Sequence, residues 1–162
     1  MGLQLRALYG YDLVGSAGQQ FFATLSALAP TALSAEDARR IFWRRLGQGW
    51  RTIVAIIDGN IVGTASLLIE AKFARGGGLV GHIEDVAVLP NRQRQGVGQA
   101  LVGHLMEMAR AEGCYKIILC CAESTVGFYD KCGFQVHGVE MRLDLKITEE
   151  HKEPPHAPQP AT

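Results

Sequence analysis

Residues 81–99, GHIEDVAVLPNRQRQGVGQ, constrain the fold more than any other stretch of the chain. Their first half, 82–89, is rich in valine and isoleucine and reads as a buried strand. Two adjacent carboxylates, Glu84 and Asp85, sit inside that apolar run. Neighbours on a strand point to opposite faces, so only one of the pair can face a given pocket. Pro90 and Asn91 break the strand, and the polar loop Gln93-Arg94-Gln95-Gly96-Val97-Gly98 opens the strongest helical pattern in the chain. A glycine-rich loop at a helix start exposes several backbone N–H groups in one direction. The helix dipole adds partial positive charge there, so the loop is built to hold phosphate. It lacks a Gly-Lys-Ser/Thr ending, which disfavours a nucleoside-triphosphate loop. Leu101 stands where the dinucleotide fingerprint needs its third glycine.

The chain has 162 residues, which suits one domain with a sizeable core. A formal net charge of zero argues against a broad basic surface for nucleic acid, though it leaves room for a local basic pocket. No apolar run approaches a membrane span. The first residues lack a secretory apolar segment, and Arg6 stands where a myristoylation pattern needs Ser or Thr. Cys114, Cys120, Cys121 and Cys132 form no Cys-x-x-Cys pair and have no histidine at metal-ligand spacing. Reduced, mostly buried thiols, no metal, and an intracellular, cytoplasmic protein are therefore expected.

In chain order, alternation at Leu3, Leu5 and Ala7 predicts a first strand. From Gln19, the apolar residues Phe21, Phe22, Leu25 and Leu28 recur at helical spacing until Pro30. Ser34 reads as the N-cap of a second helix whose buried stripe is Ala38, Ile41, Phe42 and Leu46. A strand over 50–57, the turn Asp58-Gly59 and a strand over 61–69 make a hairpin. Residues 72–78, KFARGGG, form a loop with two cations. After the strand–loop–helix, with Leu101, Leu105, Met108 and Ala109 on the inner helix face, a strand is expected over 116–121. Ser124 then caps a short helix carrying Phe128 and Tyr129, and a last strand or pair of strand segments runs over 134–145. The domain spans 1–147, followed by a proline-rich tail, 148–162, expected to be disordered. Antiparallel strands followed by a strand–helix–strand–helix–strand unit give a mixed α/β sheet.

Gln-x-x-Gly-x-Gly resembles the pyrophosphate loop of the GNAT acetyltransferases. With GHIEDVAV, GCYKIILCC, VGFYDKCGF and GVEM, the segment 81–141 closely resembles the eukaryotic glucosamine 6-phosphate N-acetyltransferase family of that superfamily. The resemblance implies the GNAT fold, one mixed sheet of about six to seven strands flanked by about four helices. It implies direct acetyl transfer from acetyl-CoA to the amine of glucosamine 6-phosphate in a ternary complex, on the route to UDP-N-acetylglucosamine. It also implies a homodimer with a shared active site. The resemblance gives the pantetheine arm to the backbone of Val86, Ala87 and Val88, and the pyrophosphate to the N–H groups of Arg94, Gln95, Gly96, Val97, Gly98 and Gln99. Thr125, Phe128 and Tyr129 join that cofactor set, and Tyr129 resembles the tyrosine near the thioester sulfur. The resemblance also places Glu84 and Asp85 in the lining of the amino-sugar pocket. Thr31, Lys72, Arg75, Tyr115, Lys116 and Arg142 are the candidates it implies for the sugar-phosphate set.

The chemistry needs these residue types. An ammonium must lose a proton before it attacks a thioester, and a carboxylate accepts it directly or through water. The tetrahedral oxyanion needs an N–H donor, which a distorted strand near Val86 would supply. A phenol, protonated at neutral pH, helps the thiolate leave. The chain departs from the family at Cys120, where members often carry an acid, and at Thr125, where they often carry Asn. It also departs at the C-terminal arginine, here Arg142. The competing readings are a GNAT transferase for another small amine or a protein amine, and a non-catalytic acetyl-CoA sensor. Tyr129 and the carboxylates speak against the sensor, and the cations of the Lys72 loop favour the sugar phosphate.

Overall fold

The hairpin at Asp58 and Gly59 sets the sheet, because both residues take positive φ (51° and 77°) and turn the chain back with Ile57 opposite Asn60. The computed structural model describes residues 2–145. Its sheet runs β1 (Gln4–Ala7), β2 (Trp50–Ile57), β3 (Asn60–Ala71), β4 (Leu79–Val88) and β5 (Cys114–Ile118) in that spatial order. The first three pairings are antiparallel, and β4 and β5 run parallel. α1 (Gly15–Leu25) and α2 (Ala35–Gly47) precede β2. α3 (Val97–Ala111) makes the crossover from β4 to β5, and α4 (Val126–Lys131) follows β5.

Alternation along β2 divides the interior into two cores. Ile53 and Ala55 face α3, where Val97, Leu101, Val102, Leu105 and Ala109 are buried against Ala65, Leu67 and Ile83. Val54 and Ile56 face the other way, with Leu13, Phe21 and Ala38. Each fully buried aliphatic side chain contributes about 1.5–3 kcal/mol, so the α3 face is the stronger clamp on β3 and β4. Gly63 lets that helix come close: a Cβ there would meet Leu101 at 2.9 Å and Val97 at 3.1 Å.

Several elements depart from the sequence reading. α1 begins at Gly15 and ends at Leu25, and Leu28 lies in the turn beyond it, 56% exposed. Ser34 does cap α2, accepting the Asp37 N–H at 3.0 Å, but Ile41 and Leu46 are exposed rather than buried. β5 starts at Cys114, two residues earlier than expected, and ends at Ile118. Ser124 lies inside a 3-10 turn, and Thr125 takes the cap position of α4 without a side-chain cap bond. Cys114 and Cys132 are half-buried, whereas Cys120 and Cys121 are exposed.

The largest departure is at the end of the described chain. Residues 134–145 form no strand, so the sheet has five strands rather than six or seven. Val136, Val139, Met141, Leu143 and Leu145 are 78–94% exposed. Strand propensity alone cannot hold a strand, because its N–H and C=O groups need a neighbour, and among the described residues this arm has none. The proline-rich tail over 148–162 lies outside the described residues.

Candidate active site

Pairing between β4 and β5 stops at His82 opposite Ile118, while β4 continues to Val88. The reason lies on the other edge of β4. Glu84 pairs with Ser66 and Ala87 with Thr64, so Asp85 and Val86 together oppose Ala65 in a bulge. Asp85 has φ +54°, the left-handed region that an aspartate seldom takes. A bulge sharpens the local twist and bends the strand. Here it turns the end of β4 away from β5, and among the described residues the edge of 83–88 that faces β5 has no strand partner. Val86, Ala87 and Val88 therefore lie on an open backbone edge next to the phosphate loop, ready to bond an extended ligand arm.

The loop carries the geometry that its glycines promise. Arg94 (φ 60°) and Gly96 (φ 82°) turn the chain into α3, which starts at Val97. No side chain caps that start, and the first helical bond of the loop is Ala100 N–H to Gly96 O at 2.9 Å. The N–H groups of Val97, Gly98 and Gln99 are left for a ligand at the positive end of the helix. Gln93 and Gln95 brace the loop, donating to the carbonyls of Val88 (3.2 Å) and Asn91 (3.0 Å). Gly98 has a second purpose: a Cβ there would lie 3.1 Å from the Phe128 ring, so this glycine seats α4 on the start of α3.

That seating places Tyr129. Its ring packs edge-on to Phe128 (4.8 Å) and Phe134 (6.1 Å). Burial raises its pKa above the ordinary phenol value, and Cys121, Cys132 and Glu84 push in the same direction. It is therefore a phenol, not a phenolate, at neutral pH. Glu84 is exposed and, among the described residues, has no ion pair. The Cys120 thiol is raised by burial and then by Glu140 and Glu84, so Glu140 of the arm brings a carboxylate beside Cys120. Thr125 turns its hydroxyl to Ala122 O at 2.8 Å.

Asp85 goes elsewhere. Arg45 of α2 donates to it from Nη1 at 2.7 Å, and the guanidinium lies over the Trp50 ring at 4.1 Å. Both line a cavity of about 350 Å³ between α1, α2 and the sheet, walled by Phe21, Phe42 and other apolar side chains. Thr31 also lines it, with its hydroxyl donated to Ala29 O at 2.9 Å. The expectation that only one of the two carboxylates faces a given pocket holds, since Asp85 lines this cavity and Glu84 does not. Arg45 and Trp50 went unread in the sequence, because a basic residue in the last turn of a helix reads as a dipole partner.

The cations form a separate group. Arg75 and Lys116 lie against Tyr115, at 5.4 and 5.7 Å from the ring centre, and Gly78 leaves room for that ring beneath the loop. Lys72 folds back on Glu70, which also takes His82 Nε2 at 2.7 Å. Lys72 and then His82 hold the Glu70 carboxyl below its ordinary pKa. Lys116 pairs with Val80, four residues before Glu84 on β4, or about 13 Å along a strand. Arg142 is on the exposed arm, bonded to Asp144 at 2.7 Å. One chain thus brings Glu84, Tyr129 and the phosphate loop together, while Lys116 lies four residues along β4 from Glu84 and shares the Tyr115 ring with Arg75. Among the described residues no group of three or more His, Cys, Asp or Glu gathers as a metal site, and no helix is long and apolar enough to cross a membrane.

The geometry has relatives. The model of the acetyltransferase (GNAT) family matches residues 19–134. Glucosamine 6-phosphate N-acetyltransferase of Trypanosoma brucei brucei is 54% identical over 88% of this chain and 96% of its own length. The crystal structure of a Trypanosoma brucei acetyltransferase has a TM-score of 0.81 at 42% identity, over 89% of this chain and all of that one. That of glucosamine-6-phosphate N-acetyltransferase from Arabidopsis thaliana has a TM-score of 0.80 at 31% identity, over 90% and 100%. The chain, with its bulged β4, open β4–β5 edge and Gln-x-x-Gly-x-Gly loop, belongs to the GNAT acetyltransferases, in the group of the glucosamine 6-phosphate N-acetyltransferases.

Proposed function

We propose that this chain transfers the acetyl group of acetyl-CoA to the 2-amino group of glucosamine 6-phosphate. The observation that carries the chemistry is Tyr129, a half-buried phenol with Glu84 in electrostatic reach, next to the open edge of β4 and the uncapped start of α3. The acceptor rests on the relatives named for it and on the cations Lys72, Arg75, Lys116 and Arg142.

The residues act as follows. The N–H groups of residues 94–99 take the pyrophosphate, and the edge at Val86, Ala87 and Val88 takes the pantetheine arm. Phe128, beside Thr125, walls the thioester end. One of the paired carboxylates receives the ammonium proton, and the free amine attacks the thioester carbon. The N–H of the bulge at Val86 meets the oxyanion. Tyr129 gives a proton to the sulfur as the C–S bond breaks. Thr31, Tyr115 and the cations hold the sugar phosphate. Lys116 pairs with Val80, about 13 Å along β4 from Glu84, and the reading that two chains share each site rests on the family resemblance and on the exposed apolar arm. The exposed apolar arm, with Arg142 on it, supplies the contact.

The test is product identification. Labelled acetyl-CoA is incubated with the protein and, side by side, glucosamine 6-phosphate, glucosamine or a lysine peptide. The label is expected on nitrogen 2 of glucosamine 6-phosphate. Faster labelling of the peptide would replace this reading with a protein acetyltransferase.

A further inference from the structure

Glu84 and Asp85 are neighbours in sequence but stand in opposite circumstances. Asp85 is held by Arg45 at 2.7 Å, and Arg45 is itself pressed on Trp50. The Nε and Nη2 atoms of Arg45 are buried and, among the described residues, have no hydrogen-bond partner. A guanidinium buried with two donors unmet is costly on its own account, so its strong contact, Asp85, is what it serves. That contact also fixes the residue whose φ of +54° makes the bulge. Taking a proton at Asp85 would break the ion pair beside an apolar cavity.

Glu84 is exposed and unpaired among the described residues. The groups around it are Tyr129 from α4, Cys120 beyond β5, Glu140 through Cys120, and Ser66 across β3. The Cys120 thiol, raised by burial, keeps its proton near neutrality and is no acceptor.

We propose that Glu84 accepts the amine proton, and that Arg45 is a positioning residue that withdraws Asp85 from that task and holds the bulge. This rests on the acetyl-transfer reading above. The ammonium gives one proton to the Glu84 carboxylate. The nitrogen lone pair forms the C–N bond, and collapse of the oxyanion breaks the C–S bond. The thiolate takes the Tyr129 proton, and the second nitrogen proton replaces it on the phenolate. One proton is released in all, and exposed Glu84 hands it to water.

The experiment measures kcat at saturating substrates, with and without formate, for Glu84→Ala, Asp85→Ala and Glu140→Ala. Formate stands in for a missing carboxylate. Glu84→Ala is expected to lose about 100-fold or more, and formate to restore part of it, while the other two gain nothing from formate. Glu84→Gln keeps the side-chain shape and gives the same loss, which guards against a misfolded alanine variant. Arg45→Gln is expected to lower kcat with the KM for acetyl-CoA unchanged. Adding Asp85→Ala to it should cost no further activity, since the two act as one unit. Arg45→Lys should recover part of the loss. Formate rescue of Asp85→Ala or Glu140→Ala in place of Glu84→Ala would overturn the assignment, and independent, multiplying losses at Arg45 and Asp85 would overturn the positioning role. If the wild type prefers another amine, the function reading falls, and the rescue pattern on that amine still decides the acceptor.

Discussion

Tyr129 is the residue whose surroundings speak most directly about chemistry. Burial favours its neutral phenol, so activity that depends on it persists through neutral pH and falls only as pH rises past its raised value, above the ordinary 10. The same sign governs stability: the contribution is complete below about 10 and is lost as pH rises through the raised value. Tyr129→Phe is expected to lower kcat and remove that alkaline fall while leaving acetyl-CoA affinity nearly intact, because the sulfur needs the proton only as charge develops. Calorimetry together with a pH profile checks it; lost coenzyme affinity with unchanged turnover would contradict the role. Tyr129 and Glu84 were legible because their residue types and motif announce them. Arg45 was not, since its partner Asp85 is 40 positions away and only the fold brings them together.

Among the elements, β4 and α3 were nearly complete in the sequence, because valine runs, a helix-period stripe and two glycines all pointed the same way. The bulge at Asp85 was anticipated only as a distortion near Val86, and its consequence, the parting of β4 from β5, lay in pairing that no local pattern encodes. Gly98→Val is expected to raise the KM for acetyl-CoA at least severalfold, since its side chain would push Phe128 off the start of α3. A variant with wild-type KM would show that α4 is not seated by that glycine. At the other end of the sheet, Arg6 holds buried Asp12 through both carboxylate oxygens, at 2.6 and 2.7 Å, and Tyr9 N–H adds a bond of 2.8 Å. Asp12→Ala leaves the partly exposed guanidinium unpaired, so a loss of about 2–3 kcal/mol is expected in urea unfolding. A change below 0.5 kcal/mol would mean that this pair is solvated in practice.

For the whole molecule, the arm over 134–145 is the part that a single chain leaves exposed. Its apolar alternation promises a strand, and among the described residues no strand pairs with it. The homodimer proposed above answers that, and mixing Arg142→Ala with Glu84→Ala tests it. If Arg142 acts across the interface, subunit exchange leaves one intact site per mixed dimer and activity returns. If it acts within its own chain, every site stays defective. On the proposed function, the chain acetylates an amino sugar bearing a 6-phosphate. The measurement that tests it most directly is kcat/KM of coenzyme A release for glucosamine 6-phosphate against glucosamine. Losing a phosphate that pairs with two or three cations forfeits roughly 1.5–3 kcal/mol per charge-assisted bond, so the ratio should exceed about 100 in favour of the phosphate. Equal values for the two sugars would contradict the account.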